Sequence, residues 1–128
     1  MLKLGNHVYE ITKVDIHIEY MPSELISIDL VAESKDESLD LEMREIELQA
    51  DFVSLDLFIT KHIEINLPHG LTNTAEFEHI TKSTLDILNI DKFNKNITLH
   101  WYGLCNINWN REFNENVPFD VKLTSSYN

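Results

Sequence analysis

Long runs of alternating apolar and polar residues constrain the fold of this chain more than any other feature. Such runs occupy residues 14–20 and 26–32, and Pro22 and Ser23 lie between them. A period of two places all the apolar side chains of a strand on one side of a sheet. Pro and Ser favour a turn. The pattern therefore predicts an antiparallel strand pair with one face buried and one face in water.

Residues 39–50 carry two competing patterns. Alternation holds up to Met43, slips by one residue across Arg44–Glu45, and resumes at Ile46. One extra residue of this kind is typical of a β-bulge. The same residues also form a helical stripe of good helix formers, but a helix would leave two leucines on its polar side. We therefore favour a bulged strand over a helix.

One helix is predicted at about residues 75–88. Asn73 or Thr74 can cap its first turn, and Glu76 and Glu78 suit the positive end of the helix dipole. The residues with helical spacing that would face the core are Phe77, Ile80, Thr84, Ile87 and Leu88.

The remaining alternating segments predict further strands at 53–59, 63–67, 97–109 and 117–123. The expected fold class is α+β, mostly antiparallel β, with about eight strands in a sandwich or partly closed barrel and the helix at 75–88 packed on it. The alternation places three further residues in the core: Trp101, Cys105 and Trp109. Gly103 is expected at a bulge or a tight bend.

The chain has 128 residues, which predicts one domain spanning 1–128. Ten basic and 22 acidic residues give a net charge of −12, which excludes non-specific binding to nucleic acid or to anionic membranes. Cys105 is the only cysteine, so an internal disulfide is excluded and a reducing compartment is favoured. With no signal-peptide pattern or membrane-length apolar run, a cytoplasmic location is expected.

The acidic residues are concentrated in one third of the chain. Residues 10–51 contain 13 acids and three bases, a net charge of −10, and the rest of the chain has a net charge of only −2. Concentrated charge costs stability through self-repulsion but speeds association with a partner of opposite charge. The acids predicted to bind a basic protein partner flank the suspected bulge: Asp40, Glu42, Glu45 and Glu47.

Two His-Ile-Glu triplets raise the question of a metal site. If their strands paired, four side chains could converge: His17, Glu19, His62 and Glu64. A solvated face is the favoured interpretation, because the spacing lacks the tighter patterns of metal-binding histidines. Neither a metal nor another cofactor is expected.

The sequence contains no catalytic motif. With three glycines there is no glycine-rich phosphate loop, and no Gly-x-Ser-x-Gly nucleophile elbow occurs. We therefore expect a protein that is not an enzyme.

A second candidate binding surface comes from aromatic and arginine residues near the end of the chain. These residue types are enriched in the energetically dominant parts of interfaces. The candidate binding residues there are Tyr102, Arg111 and Phe113, and Tyr102 is expected to face outward together with His100.

Charge, size and expected compartment resemble those of immunity proteins in general. The leading hypothesis is accordingly a non-catalytic acidic module that binds and neutralises a cationic toxin domain in the bacterial cytoplasm. The alternative hypothesis is a small β-rich structural subunit of a phage-tail or contractile-injection apparatus, which the alternation of the opening strands loosely resembles.

Overall fold

A computed structural model describes residues 1–21, 25–35, 39–49, 62–65, 69–73, 77–109 and 112–127. These residues form ten strands and contain no helix. The strands are β1 (Leu2–Leu4), β2 (His7–Tyr9), β3 (Ile11–Met21), β4 (Leu25–Ser34), β5 (Leu39–Gln49), β6 (His62–Ile65), β7 (His69–Asn73), β8 (Phe77–Asp91), β9 (Asn96–Trp109) and β10 (Glu112–Ser126).

The strands pair antiparallel in the order β2-β1-β10-β9-β8-β7-β5-β4-β3, and β6 pairs with β8 beside β7. The predicted hairpin of β3 and β4 is confirmed, with Val14 opposite Ala32 and Ile18 opposite Ile28. The sheet is not closed into a barrel. Near the end of β10, Ser125 Oγ donates to the carbonyl of Val14 in β3 at 3.5 Å, and Tyr127 forms a bridge to Ile16.

The sheet curls so that its two halves bury their inner faces in one core. The core side chains come from β3 and β4 on one side and from β1, β8, β9 and β10 on the other. Trp101 is fully buried at its centre, and its ring contacts Phe119 edge-on at 5.4 Å between centroids. Cys105 is also buried, as predicted, and its Sγ donates to the carbonyl of Val117 at 3.5 Å. The side chain of Trp109 lies outside the described part of the chain.

The helix predicted at about 75–88 is wrong, because residues from Phe77 to Asp91 form the long strand β8. Ser83, Leu85 and Ile87 point into the core with a period of two, and Leu88 is 39 % exposed. β8 contains an extra residue between Ile80 and Lys82 and another between Ile87 and Asn89. Each bulge shifts the apolar–polar alternation by one residue. Apolar residues on either side of a bulge are then three positions apart, which is also the spacing of a helical stripe.

The bulged-strand interpretation of residues 39–50 is confirmed for β5. Ile46 lies opposite Ile28, and Met43 lies opposite Leu30. Two residues of β5, Arg44 and Glu45, therefore face a single residue of β4. This is the position at which the alternation slips in the sequence.

Gly103 is required where β8 and β9 approach each other closely. A Cβ atom at this position would lie 2.0 Å from the carbonyl oxygen of Lys82 and 2.7 Å from the Cα of Ser83. Pairing between β9 and β10 continues without interruption on both sides of Gly103, so the tight bend expected at this position is absent. The glycine instead lets the two backbones come together next to the bulge in β8.

Gly103→Ala should destabilise the protein by at least about 2 kcal/mol, because backbone atoms of β8 would have to move away from β9. Urea unfolding measures this loss, and Ser126→Ala, at an exposed position, provides the control. A change of less than about 0.5 kcal/mol for Gly103→Ala would contradict the close approach of the two strands.

Candidate functional site

The outward side of β3, β4 and β5 brings together acids that are far apart in the sequence. Directly opposite residues of antiparallel strands share a face, so the register decides which acids are neighbours. We use the term acidic face for the acids at the outward positions of these strands: Asp15 and Glu19 in β3, Asp29 and Glu33 in β4, and Asp40, Glu42 and Glu47 in β5.

The positions of the β5 acids follow from their partners in β4. Asp40 is paired with Glu33 and Glu42 with Val31, and these β4 residues alternate with the buried Leu30 and Ala32. Three of the four predicted partner-binding acids thus belong to one face, since Glu47 pairs with Ser27 in the same alternation. The fourth, Glu45, lies in the bulge, where the register assigns no partner.

The register of β4 and β5 assigns two acids to opposed positions of the acidic face. Glu33 pairs with Asp40 across β4 and β5, an arrangement that destabilises a sheet. On its other side Glu33 pairs with Lys13, and His17 Nε2 lies 3.9 Å from Glu19 Oε2. These contacts offset only part of the negative charge, so the face remains strongly acidic.

The four residues considered as metal ligands are not brought together by strand pairing. His17 and Glu19 are in β3, which pairs with β4, whereas His62 and Glu64 are in β6, which pairs with β8. His62 contacts Asp86 instead. Within the described ranges, no group of three or more His, Cys, Asp or Glu side chains is arranged to hold a metal ion.

The second predicted surface does not form a single cluster. Tyr102 is half-buried on the outward side of β9, and Phe113, which is 58 % exposed, pairs with Asn108 near the far end of that strand. Six residues of strand separate Tyr102 from Asn108, which corresponds to about 20 Å. Arg111 lies outside the described residues.

Tyr102 belongs instead to a cross-strand network that sequence reasoning missed. His62 Nδ1 donates to Asp86 Oδ1 at 2.6 Å, and the Tyr102 hydroxyl donates to Asp86 Oδ2 at 3.1 Å. The ring of His100 lies 4.5 Å from that of Tyr102, and His100 Nε2 is 3.0 Å from Asp120 Oδ1. We call these five residues, which lie on β6, β8, β9 and β10, the His–Asp–Tyr cluster.

Asp86 controls the electrostatics of the cluster. Its side chain is only 14 % exposed, and both of its carboxylate oxygens accept hydrogen bonds. Desolvation raises the pKa of Tyr102, and the hydrogen bond and negative charge of Asp86 raise it further. The cluster therefore holds neutral Tyr102 in a fixed position on the outer surface.

The sequence gives only a weak signal for this cluster. His100 and Tyr102 are predicted to face outward, as they do, but their partners Asp120 and Asp86 are 20 and 16 residues away on strands whose register the sequence does not show. Asp86 was placed in the helix that does not exist. A correct assignment of β8 would have aligned Asp86 with His100.

A groove of about 410 Å³ runs across β8, β9 and β10 next to the cluster. One wall contains Thr84, Tyr102 and Asp120, which are paired in register. The opposite wall is formed by the paired residues Lys82, Leu104 and Pro118. Gly103 lies between the two walls and adds no side chain.

Comparison with known proteins yields no match to a family model, to a curated protein or to a solved structure. Among the residues that the structure describes, no helix has the length and apolar character needed to cross a membrane.

Asp86→Asn should lower the pKa of Tyr102, because removal of the carboxylate charge makes the phenolate less unfavourable. The tyrosinate absorbance measured as a function of pH reports this change, and Tyr102→Phe identifies which transition belongs to Tyr102. An unchanged transition in Asp86→Asn would contradict the contribution of Asp86 to the raised pKa of Tyr102.

Proposed function

We propose that this chain is a non-catalytic module that binds a basic protein through its acidic face. In the specific form of the proposal, it acts like an immunity protein and neutralises a cationic toxin domain in the bacterial cytoplasm. The main supporting observation is the alignment of acids from three strands on one face, including the opposed pair of Glu33 and Asp40.

The acidic face is less favourable in the free protein than in a complex with a basic partner. Opposed like charges reduce the stability of the free sheet, and each such pair costs roughly 0.2–1 kcal/mol. A basic partner places positive charges next to these acids, so attraction to the partner outweighs the repulsion between the acids. Complementary potentials accelerate encounter by about 10- to 1,000-fold when the ionic strength is low. An acidic face therefore serves an inhibitor that has to reach a cationic active site quickly.

A second function is supported by the edge of the sheet. β3 is 11 residues long and ends the path of paired strands. Main-chain groups on such an edge can pair with another chain. This favours a small β-rich structural subunit of a phage-tail or contractile-injection apparatus. The mass in solution distinguishes the two functions, because an inhibitor is expected as a monomer or dimer and a tail subunit as a ring.

Reversal of four charges tests the leading function. The variant Asp40→Lys, Glu42→Lys, Glu45→Lys, Glu47→Lys changes the net charge by two units per site, from −12 to −4. With a partner captured from native cells, association should slow at least about tenfold, because steering depends on this charge. Stopped-flow mixing of purified proteins measures the rate.

The matched control reverses four exposed acids outside the acidic face: Glu10, Glu64, Glu112 and Glu115. It reaches the same net charge but leaves the acidic face intact, so its effect should be much smaller. For the wild type, the rate should also fall between about 0.01 M and about 0.15 M salt, where the Debye length shrinks from about 30 Å to about 8 Å. Equal slowing of both variants, or a rate independent of salt, would refute binding through the acidic face.

A further inference from the structure

The turn between β8 and β9 presents a fully exposed aromatic ring. Phe93 is 94 % exposed, the highest value for any large apolar residue in the described part of the chain. Exposed Lys92 and Lys95 lie on either side of it. We call residues 92–95 the hairpin tip. It is a basic and aromatic feature on a chain whose overall charge is strongly negative.

The hairpin tip is held in one conformation. The Asp91 carboxylate accepts hydrogen bonds from the backbone N–H groups of Phe93 at 3.1 Å and Asn94 at 3.0 Å. The Asn94 side chain adds a bond of 2.8 Å to the same carboxylate. Lys95 completes the turn with a φ of 53°. A preformed aromatic projection loses little conformational entropy when it binds, which favours a role in recognition.

A cleft lies at the same end of the molecule as the hairpin tip. The backbone N–H of Tyr127 donates to the carbonyl of Lys95 at 2.9 Å, and Tyr127 also forms the bridge to Ile16 of β3. The cleft beside this junction has a volume of about 410 Å³. Its lining residues are Val14, Asp15, Ile16, His17, Asp29, Val31, Ser126 and Tyr127.

The hairpin tip and the cleft are complementary to each other. The cleft combines the carboxylates of Asp15 and Asp29 with the apolar surface of Val31 and the ring of Tyr127. The tip offers two ammonium groups and one aromatic ring. Within one chain the two features lie side by side, so the patch as a whole is self-complementary. A two-fold symmetric dimer requires this property, because the same patch contacts itself.

We propose that the chain forms a two-fold symmetric dimer in which the hairpin tip of each copy inserts Phe93 into the cleft of the other. The flanking lysines then lie against Asp15 and Asp29 of the second copy. An anionic membrane surface is a poorer partner for the tip, because the carboxylates of the adjacent cleft repel the lipid headgroups. The dimer does not rest on the proposed function, since it needs no other protein.

The dimer covers part of the acidic face. The cleft is lined by Asp15 and Asp29, which belong to that face, and by Val31, which pairs with Glu42 of β5. The dimer and a basic partner therefore compete for this surface. Failure of one proposal does not imply failure of the other, because self-association is measured on the purified chain alone.

Sedimentation velocity of the full chain from about 1 µM to about 1 mM tests self-association in the affinity range expected for a small interface. The wild type should shift from monomer to dimer as its concentration rises. Phe93→Ser should raise the dissociation constant of the dimer about a hundredfold. The symmetric interface contains the Phe93 contact twice, and the loss of each copy is expected to weaken binding about tenfold. A wild type that stays monomeric throughout, or a dimer indifferent to Phe93→Ser, would overturn the proposal.

Mixing two charge variants provides a sharper test. Lys92→Glu alone and Asp15→Lys alone should each be monomeric, because the first variant puts an acid of the tip against the acidic cleft and the second puts a base in the cleft against the basic tip. An equal mixture should form a heterodimer, because both of its contacts again join opposite charges. Glu112→Lys, at the other end of β10, should dimerise like the wild type, and circular dichroism checks that all variants fold.

Other outcomes of this experiment count against the dimer. A mixture of the two variants that remains monomeric would exclude the pairing of tip and cleft. Binding of monomers to phosphatidylglycerol vesicles, abolished by Phe93→Ser, would assign the tip to a membrane surface instead.

Discussion

Burial of two apolar sheet faces against each other is the interaction on which the rest of this structure depends. Leu85, Trp101 and Val121 come from one half of the sheet and Ile28 and Leu30 from the other, and all are fully buried in one core. Each such side chain contributes roughly 1.5–3 kcal/mol when it leaves water. A period of two then forces every second residue outward, and these outward positions remain available for charge and for binding.

The outward positions of the two halves are used differently. In the half that contains β8, β9 and β10, opposite polar groups satisfy one another, as Asp86 does with His62 and Tyr102. In the half that contains β3, β4 and β5, acids lie beside acids, and Glu33 opposes Asp40. The first arrangement stabilises the free protein and the second does not. This contrast is the physical reason for placing partner binding on the acidic face.

Local patterns in the sequence predicted the elements that depend on local alternation. The β3–β4 hairpin, the bulge at Arg44–Glu45, and the buried positions of Trp101 and Cys105 all follow from a period of two. The same reasoning failed at β8, where two bulges shift the phase and produce an apparent helical stripe.

Features that depend on which strands are neighbours could not be derived from the sequence. The His–Asp–Tyr cluster requires β6, β8, β9 and β10 in a particular register, and the cleft requires the end of β10 to reach β3. Neither relation is encoded by local spacing. The acidic face was predicted in part, because its charge density is visible in the sequence but the opposition of individual acids is not.

The central claim is that the acidic face costs the free protein stability, and a double-mutant cycle of Glu33→Gln and Asp40→Asn measures this cost directly. Unfolding by urea of the wild type, both single variants and the double variant isolates the interaction between the two positions. The account predicts a repulsive interaction of about 0.2–1 kcal/mol at low salt. It should become much smaller at about 1 M salt, where the Debye length is about 3 Å. An interaction of zero, or a favourable one, would contradict the account.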